Sequence, residues 1–196
     1  MMNRGAPDAI DVALRVAHAI ERAGGSYFVG GSVASSLQGE PRATNDIDIV
    51  LELSAHRASS LKGALGSDFE VDVDMLRDAL MHDRSCNIFF LPVVMKVDLF
   101  GLGSTPFDAS EVARKKPIIV RGHQTLVVKS PEDTVLRKLL WFREGGEVSD
   151  KQWRDVVEVL RVSGPAIDRA YLASWGERLS IRALLERAQA EAEISR

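Results

Sequence analysis

Asp46-Ile47-Asp48-Ile49-Val50-Leu51-Glu52-Leu53 is the stretch on which the fold turns. Ile47, Ile49, Leu51 and Leu53 alternate with Asp46, Asp48, Val50 and Glu52, which is the period of a strand with one buried face. The aliphatic face must meet a core. Asp46 and Asp48 then stand side by side on the other face, about 6.5–7 Å apart along the strand. A second alternating run, Val94 to Phe100, puts Lys96 and Asp98 on one face and Met95, Val97 and Leu99 on the other. If the two strands are neighbours, Asp98 joins the pair.

Working outward, residues 8–23 have the apolar spacing of an amphipathic helix, which Gly24-Gly25 ends. Tyr27-Phe28-Val29 reads as a short buried strand. Gly30-Gly31-Ser32 follows, then a short helix through Leu37 and a polar loop from Gly39 to Asn45. A helix over 55–65, a strand over 69–73 and a helix over 75–81 come next. Ile88–Leu91 pairs with Val94–Phe100 around Pro92. Residues 101–116 read as a loop or flexible flap, and 118–120 with 126–128 as a hairpin turned at Gly122. Beyond 128 the pattern is helical. Ser130-Pro131-Glu132-Asp133 and Ser149 with Gln152 are capping signals, and Gly164-Pro165 is a break. Two regions are expected: 1–128, mixed strands and helices, and 129–196, a helical region packed on that core.

Composition bounds the function. The 196 residues are 45% hydrophobic and carry a net charge of −3, which exerts no global pull on nucleic acid or an anionic membrane. The single cysteine, Cys86, excludes an internal disulfide and a cysteine zinc site, and the four histidines lack ligand spacing. No signal peptide or membrane span is legible, so a soluble, cytoplasmic protein without membrane partners is the expectation.

Three carboxylates in one place repel. Two charges about 7 Å apart cost roughly 2 kcal/mol at an effective dielectric of about 20. A hard dication relieves that cost, and an all-oxygen donor set with open positions suits Mg²⁺ or Mn²⁺ carrying substrate phosphates. Gly30-Gly31-Ser32, at a strand-to-helix junction, would offer close backbone approach, free N–H groups and a hydroxyl to those phosphates. It is neither a P-loop nor a dinucleotide fingerprint, because the Gly-Lys-Ser/Thr and the glycine spacing are missing.

Gly30-Gly31-Ser32, thirteen residues, Asp46-Ile47-Asp48 on a strand, and Asp98 on a later strand resemble the DNA polymerase beta-type nucleotidyltransferase superfamily. Pro41 to Asp48 is similar to its bacterial branch that includes AbiEii-like toxins. The resemblance implies an α/β (α+β) fold: a small mixed sheet flanked by helices, with a C-terminal helical part. It implies Mg²⁺ or Mn²⁺ held by Asp46, Asp48 and Asp98. It also implies transfer of a nucleoside monophosphate from a nucleoside triphosphate such as ATP to an acceptor hydroxyl on RNA, protein or a small molecule, with an antitoxin as a partner in the toxin setting. Lys138 matches a lysine on the first C-terminal helix of that branch, and Asp155 a later acidic residue.

Other readings stand beside these. Asp46 and Asp48 alone could be the solvent face of an edge strand. Asp72-Val73-Asp74 has no glycine motif upstream and reads as structural, with Asp74 capping the helix at 75–81. Arg42 is either a phosphate ligand or solvated. Lys138, at the edge of an apolar stripe, is open to the same two readings. Arg143 either ends its helix or faces a polar site such as bound phosphate. Asp155, opposite the Trp153/Val156/Val157/Leu160 stripe, reads as solvated, and the tryptophans as packing residues. The C-terminal helices are expected to close one side of a nucleotide cleft. The rival function is a catalytically silent protein that binds nucleotide or a partner.

Overall fold

The computed structural model describes residues 6–194 and divides into two compact units. The first comprises Met1–Val33 and Ala43–Val128, and the second Ala34–Arg42 and Lys129–Arg196. Residues 34–42, which the sequence reading places with the core, therefore belong to the helical unit.

The first unit is built on seven strands: β1 (Ser26–Val29), β2 (Asp46–Glu52), β3 (Phe69–Glu70), β4 (Ser85–Phe90), β5 (Met95–Gly101), β6 (Lys116–Arg121) and β7 (Gln124–Val128). They form one mixed sheet in the order β3-β4-β5-β2-β1-β7-β6. β2 runs parallel to β5 and antiparallel to β1. β4 runs antiparallel to β5. Ile47, Ile49, Leu51, Ile88, Phe90, Val97 and Leu99 are buried on one face. Helix α1 (Ala9–Arg22) lies on that side, since Arg15 sits 5.1 Å over the Phe90 ring. Asp8 caps α1 by accepting from the N–H groups of Ile10 and Asp11, and the Asp11 carboxylate accepts from the Asp8 N–H in return.

Three local expectations are corrected. The strand over 69–73 shrinks to two residues, because Asp72 turns the chain and caps helix α4 (Val73–Met81) through the N–H groups of Asp74 and Met75. Asp74 is not the cap; it pairs with Arg77 at 2.6 Å. The supposed flap contains a helix, α5 (Pro106–Arg114), with Thr105 as its cap and Asp108 closing the capping box. Thr105-Pro106-Phe107-Asp108 carried that signal in the sequence. Helix α3 (Ala58–Leu65) follows a short 3₁₀ turn at Ala55–Arg57.

Helix α2 (Gly31–Gln38) starts in the first unit and ends in the second. The second unit adds α6 (Pro131–Glu144), α7 (Asp150–Ser163), α8 (Arg169–Arg178) and α9 (Arg182–Ile194). Val135, Leu136, Leu139, Val156, Val159, Leu160, Leu172 and Leu185 make its core. Trp153 packs on Phe142 with ring centroids 5.2 Å apart and donates to Glu191 at 2.8 Å. Among the described residues no helix is long and apolar enough to cross a membrane.

Candidate active site

The β2–β5 register sets the site. Asp48 faces Asp98 across the parallel ladder, and Asp46 faces Lys96. Neighbouring strands lie about 4.8 Å apart, so these four residues make a two-by-two block on the face opposite α1. The next strand extends the rows: Asn87 of β4 faces Asp98, and Phe89 faces Lys96. Both are exposed, whereas Asp48 and Asp98 are half-buried. Thr44 steadies the start of β2, its hydroxyl donating to the Asp46 carbonyl at 3.1 Å.

Gly31 explains why Asp48 needs glycine beside it. The Gly30 N–H donates to the Asp48 carbonyl at 2.9 Å, so the β1 end runs alongside Asp48. Gly31 then takes φ +51°, and a Cβ there would lie 1.6 Å from Asp48 Oδ2. The backbone and the carboxylate occupy a space that only glycine leaves open. Ser32 is buried in the first turn of α2. Gly31→Ala is expected to lower the melting temperature. The left-handed backbone costs about 1–2 kcal/mol for an alanine, and Asp48 has to move. Thermal melts check this; an unchanged melt would remove the packing argument.

Lys96 is the residue whose role sequence reasoning missed, although it shares the face of Asp98. Its Nζ lies 2.8 Å from Asp98 Oδ2. The ammonium is held above the ordinary lysine range, first by its hydrogen bond to Asp98, with the Asp98, Asp46 and Asp48 charges adding to it. Among the described residues no three His, Cys, Asp or Glu side chains are gathered into a ready cluster. The donor chemistry still suits a hard cation: the block offers carboxylate oxygens only, in register, beside a glycine backbone.

A cavity of about 740 Å³ lies elsewhere in the first unit, lined by Arg15, His18, Glu21, Arg22, Ala64, Leu65 and Phe69, and none of the three carboxylates lines it.

The cations named as phosphate ligands from sequence belong to the second unit. Lys138 is not at an edge; it is 5% exposed, and its Nζ lies 2.8 Å from Asp155 Oδ2. Asp155 is not solvated either. It is buried and also accepts from Ser35 Oγ at 3.1 Å and from Arg42 Nε and Nη2 at 3.0 and 2.8 Å. Burial raises the Asp155 pKa, but the hydrogen bonds and charges of Arg42 and Lys138 outweigh it and hold the carboxyl below its usual range. The apolar stripe of α7 lies on one side and Asp155 on the other, yet α2, the loop after it and α6 bring partners to that far side. Arg143 donates to the carbonyls of Leu179 and Ser180 at 2.8 and 2.9 Å, just past the end of α8. That satisfies carbonyls a helix end leaves open.

No family model matches the chain, and no curated protein does. Solved structures do. An antigenic nucleotidyltransferase-like protein from Paracoccidioides brasiliensis is 17% identical, with 94% of each chain covered and a TM-score of 0.58. The solution structure of the antibiotic-resistance factor ANT(2'')-Ia is 14% identical over 92% of this chain and 97% of its own, TM-score 0.53. A crystal structure of ANT(2'')-Ia in complex with adenylyl-2''-tobramycin is 13% identical over 89% and 99%, TM-score 0.55. The mixed α/β fold is thus the one these nucleotidyltransferase-like proteins share.

Proposed function

We propose that this chain is a metal-dependent nucleotidyltransferase of the DNA polymerase beta type, moving a nucleoside monophosphate from a nucleoside triphosphate to an acceptor hydroxyl. One observation carries the reading: Asp48 and Asp98 are in register on neighbouring strands, with Asp46 one pleat away. The shared fold supports it.

Asp46 and Asp48 are the residues to hold two Mg²⁺ or Mn²⁺ ions, and Asp98 to hold the one nearer the acceptor. When bound, such ions neutralise phosphate charge and ease deprotonation of the attacking hydroxyl. Asp98 would take that proton. Gly31 and Ser32 would bind the triphosphate through backbone N–H groups and a hydroxyl, while Gly30, whose N–H is held by the Asp48 carbonyl, would let the backbone approach it closely. Arg42, Lys138 and Arg143 are assigned to the ion pairs and caps described above. The acceptor is an RNA, a protein or a small molecule. The complex of ANT(2'')-Ia with adenylyl-2''-tobramycin favours testing small hydroxylated molecules first. A toxin-type effector with an antitoxin partner differs only in the acceptor.

Mg²⁺ with ATP is expected to raise the melting temperature; ligand at about 100 times its Kd adds about 2.7 kcal/mol to the folded state. Incubating the protein with each α-labelled triphosphate, Mg²⁺ and a cell extract identifies the acceptor by what becomes labelled. Metal-dependent nucleotide binding with no labelled product from any triphosphate would favour the catalytically silent reading.

A further inference from the structure

The β2–β5 block holds three carboxylates and one cation. Lys96 fills the fourth corner, facing Asp46 across the ladder and standing two residues before Asp98 on the same face. Its ammonium already engages Asp98 at 2.8 Å. A dication entering the block needs the oxygens of Asp98 and must tolerate the ammonium beside it. Like charges at a few ångströms repel even in a partly wet site.

Two lysine–aspartate pairs among the described residues have the same length and opposite burial. Lys138 and Asp155 meet at 2.8 Å with side chains 6% and 7% exposed. Lys96 and Asp98 meet at 2.8 Å with Lys96 38% exposed and Asp98 14%. The first pair is locked, because separating it strands a charge in the interior. The second is exchangeable: a half-exposed ammonium on a four-carbon stem can leave one anion for another. A triphosphate is such an anion, and it also brings its own metal.

We infer that Lys96 is the resident counter-cation of the carboxylate block and makes metal binding there depend on the nucleotide. In the free protein its ammonium holds Asp98 and disfavours a lone dication. When metal and triphosphate arrive together, the ammonium passes to phosphate oxygens and Asp98 is released to the ion. Lys96 thus positions Asp98 in the free protein and contacts phosphate in the bound one, and the inference rests on the nucleotidyltransferase reading.

The test is direct Mn²⁺ binding, followed by the electron paramagnetic resonance signal of free Mn²⁺. Wild type, Lys96→Met, Lys96→Gln, Lys96→Arg and Asp48→Asn are titrated with and without the α,β-methylene analogue of ATP. Lys96→Met and Lys96→Gln should bind Mn²⁺ alone at least about tenfold more tightly than wild type, and gain less from the analogue. Lys96→Arg should behave as wild type, since it restores the charge. If Asp48-dependent binding is seen but Lys96→Met and Lys96→Gln match wild type without nucleotide, the role of Lys96 falls and the enzyme reading stands. If Asp48→Asn leaves all Mn²⁺ uptake unchanged, the metal site falls, and this inference with it.

Discussion

Asp48→Asn is expected to leave the protein folded and to lower nucleotidyl transfer by at least about 10³-fold, roughly 4 kcal/mol of transition-state stabilisation. The substitution keeps the shape of the side chain beside Gly31, where Asp48 Oδ2 stands in the space a Cβ would fill. It removes the charge that stands in register with Asp98. On the proposed reading the bound metal would lose a ligand that Asp46, one pleat earlier on β2, does not replace. Transfer is measured with the acceptor identified by labelling, and folding by the melting curve without ligand. The rise in melting temperature with Mg²⁺ and ATP should vanish as well. Transfer within tenfold of wild type would remove Asp48 from the machinery.

Asp155→Asn is expected to destabilise the helical unit by about 3–5 kcal/mol at pH 7, the usual cost of removing one member of a buried ion pair. Lys138 is 5% exposed and would lose the Asp155 carboxylate, as would Arg42. By the same reasoning Lys138→Ala should lower the melting temperature, because Lys138 is buried against Asp155. The pH dependence has a definite sign. The folded pKa of Asp155 lies below the unfolded value, which is about 3.9. The stabilisation is therefore complete above about pH 4 and is lost as pH falls through the lower folded value. Trp141, Trp153 and Trp175 all lie in the helical unit, so urea unfolding followed by tryptophan fluorescence reports on it selectively. A difference below about 0.5 kcal/mol at pH 7 would show that the cluster contributes nothing net.

What could be read in the chain was what depends on residues close in sequence. Alternation in 46–53 and 94–100 assigned faces to Asp46, Asp48, Lys96 and Asp98, because a strand repeats every two residues whatever surrounds it. Caps at Ser130 and Ser149 marked helix starts for the same local reason. The helix at 106–114 is legible too, in Thr105, Pro106 and Asp108, although the glycines before it read as loop. Tertiary structure decided the rest. Only the parallel pairing of β2 with β5 puts Asp48 opposite Asp98 and Lys96 opposite Asp46, since register between strands some fifty residues apart is set by packing of the whole sheet. Only the meeting of α2 and the loop after it with α6 and α7 gathers Ser35, Arg42 and Lys138 around the buried Asp155. Periodicity tells which side of a helix is apolar. It cannot tell that the polar side will also be covered, because the charges that make such burial tolerable come from residues up to 113 positions away.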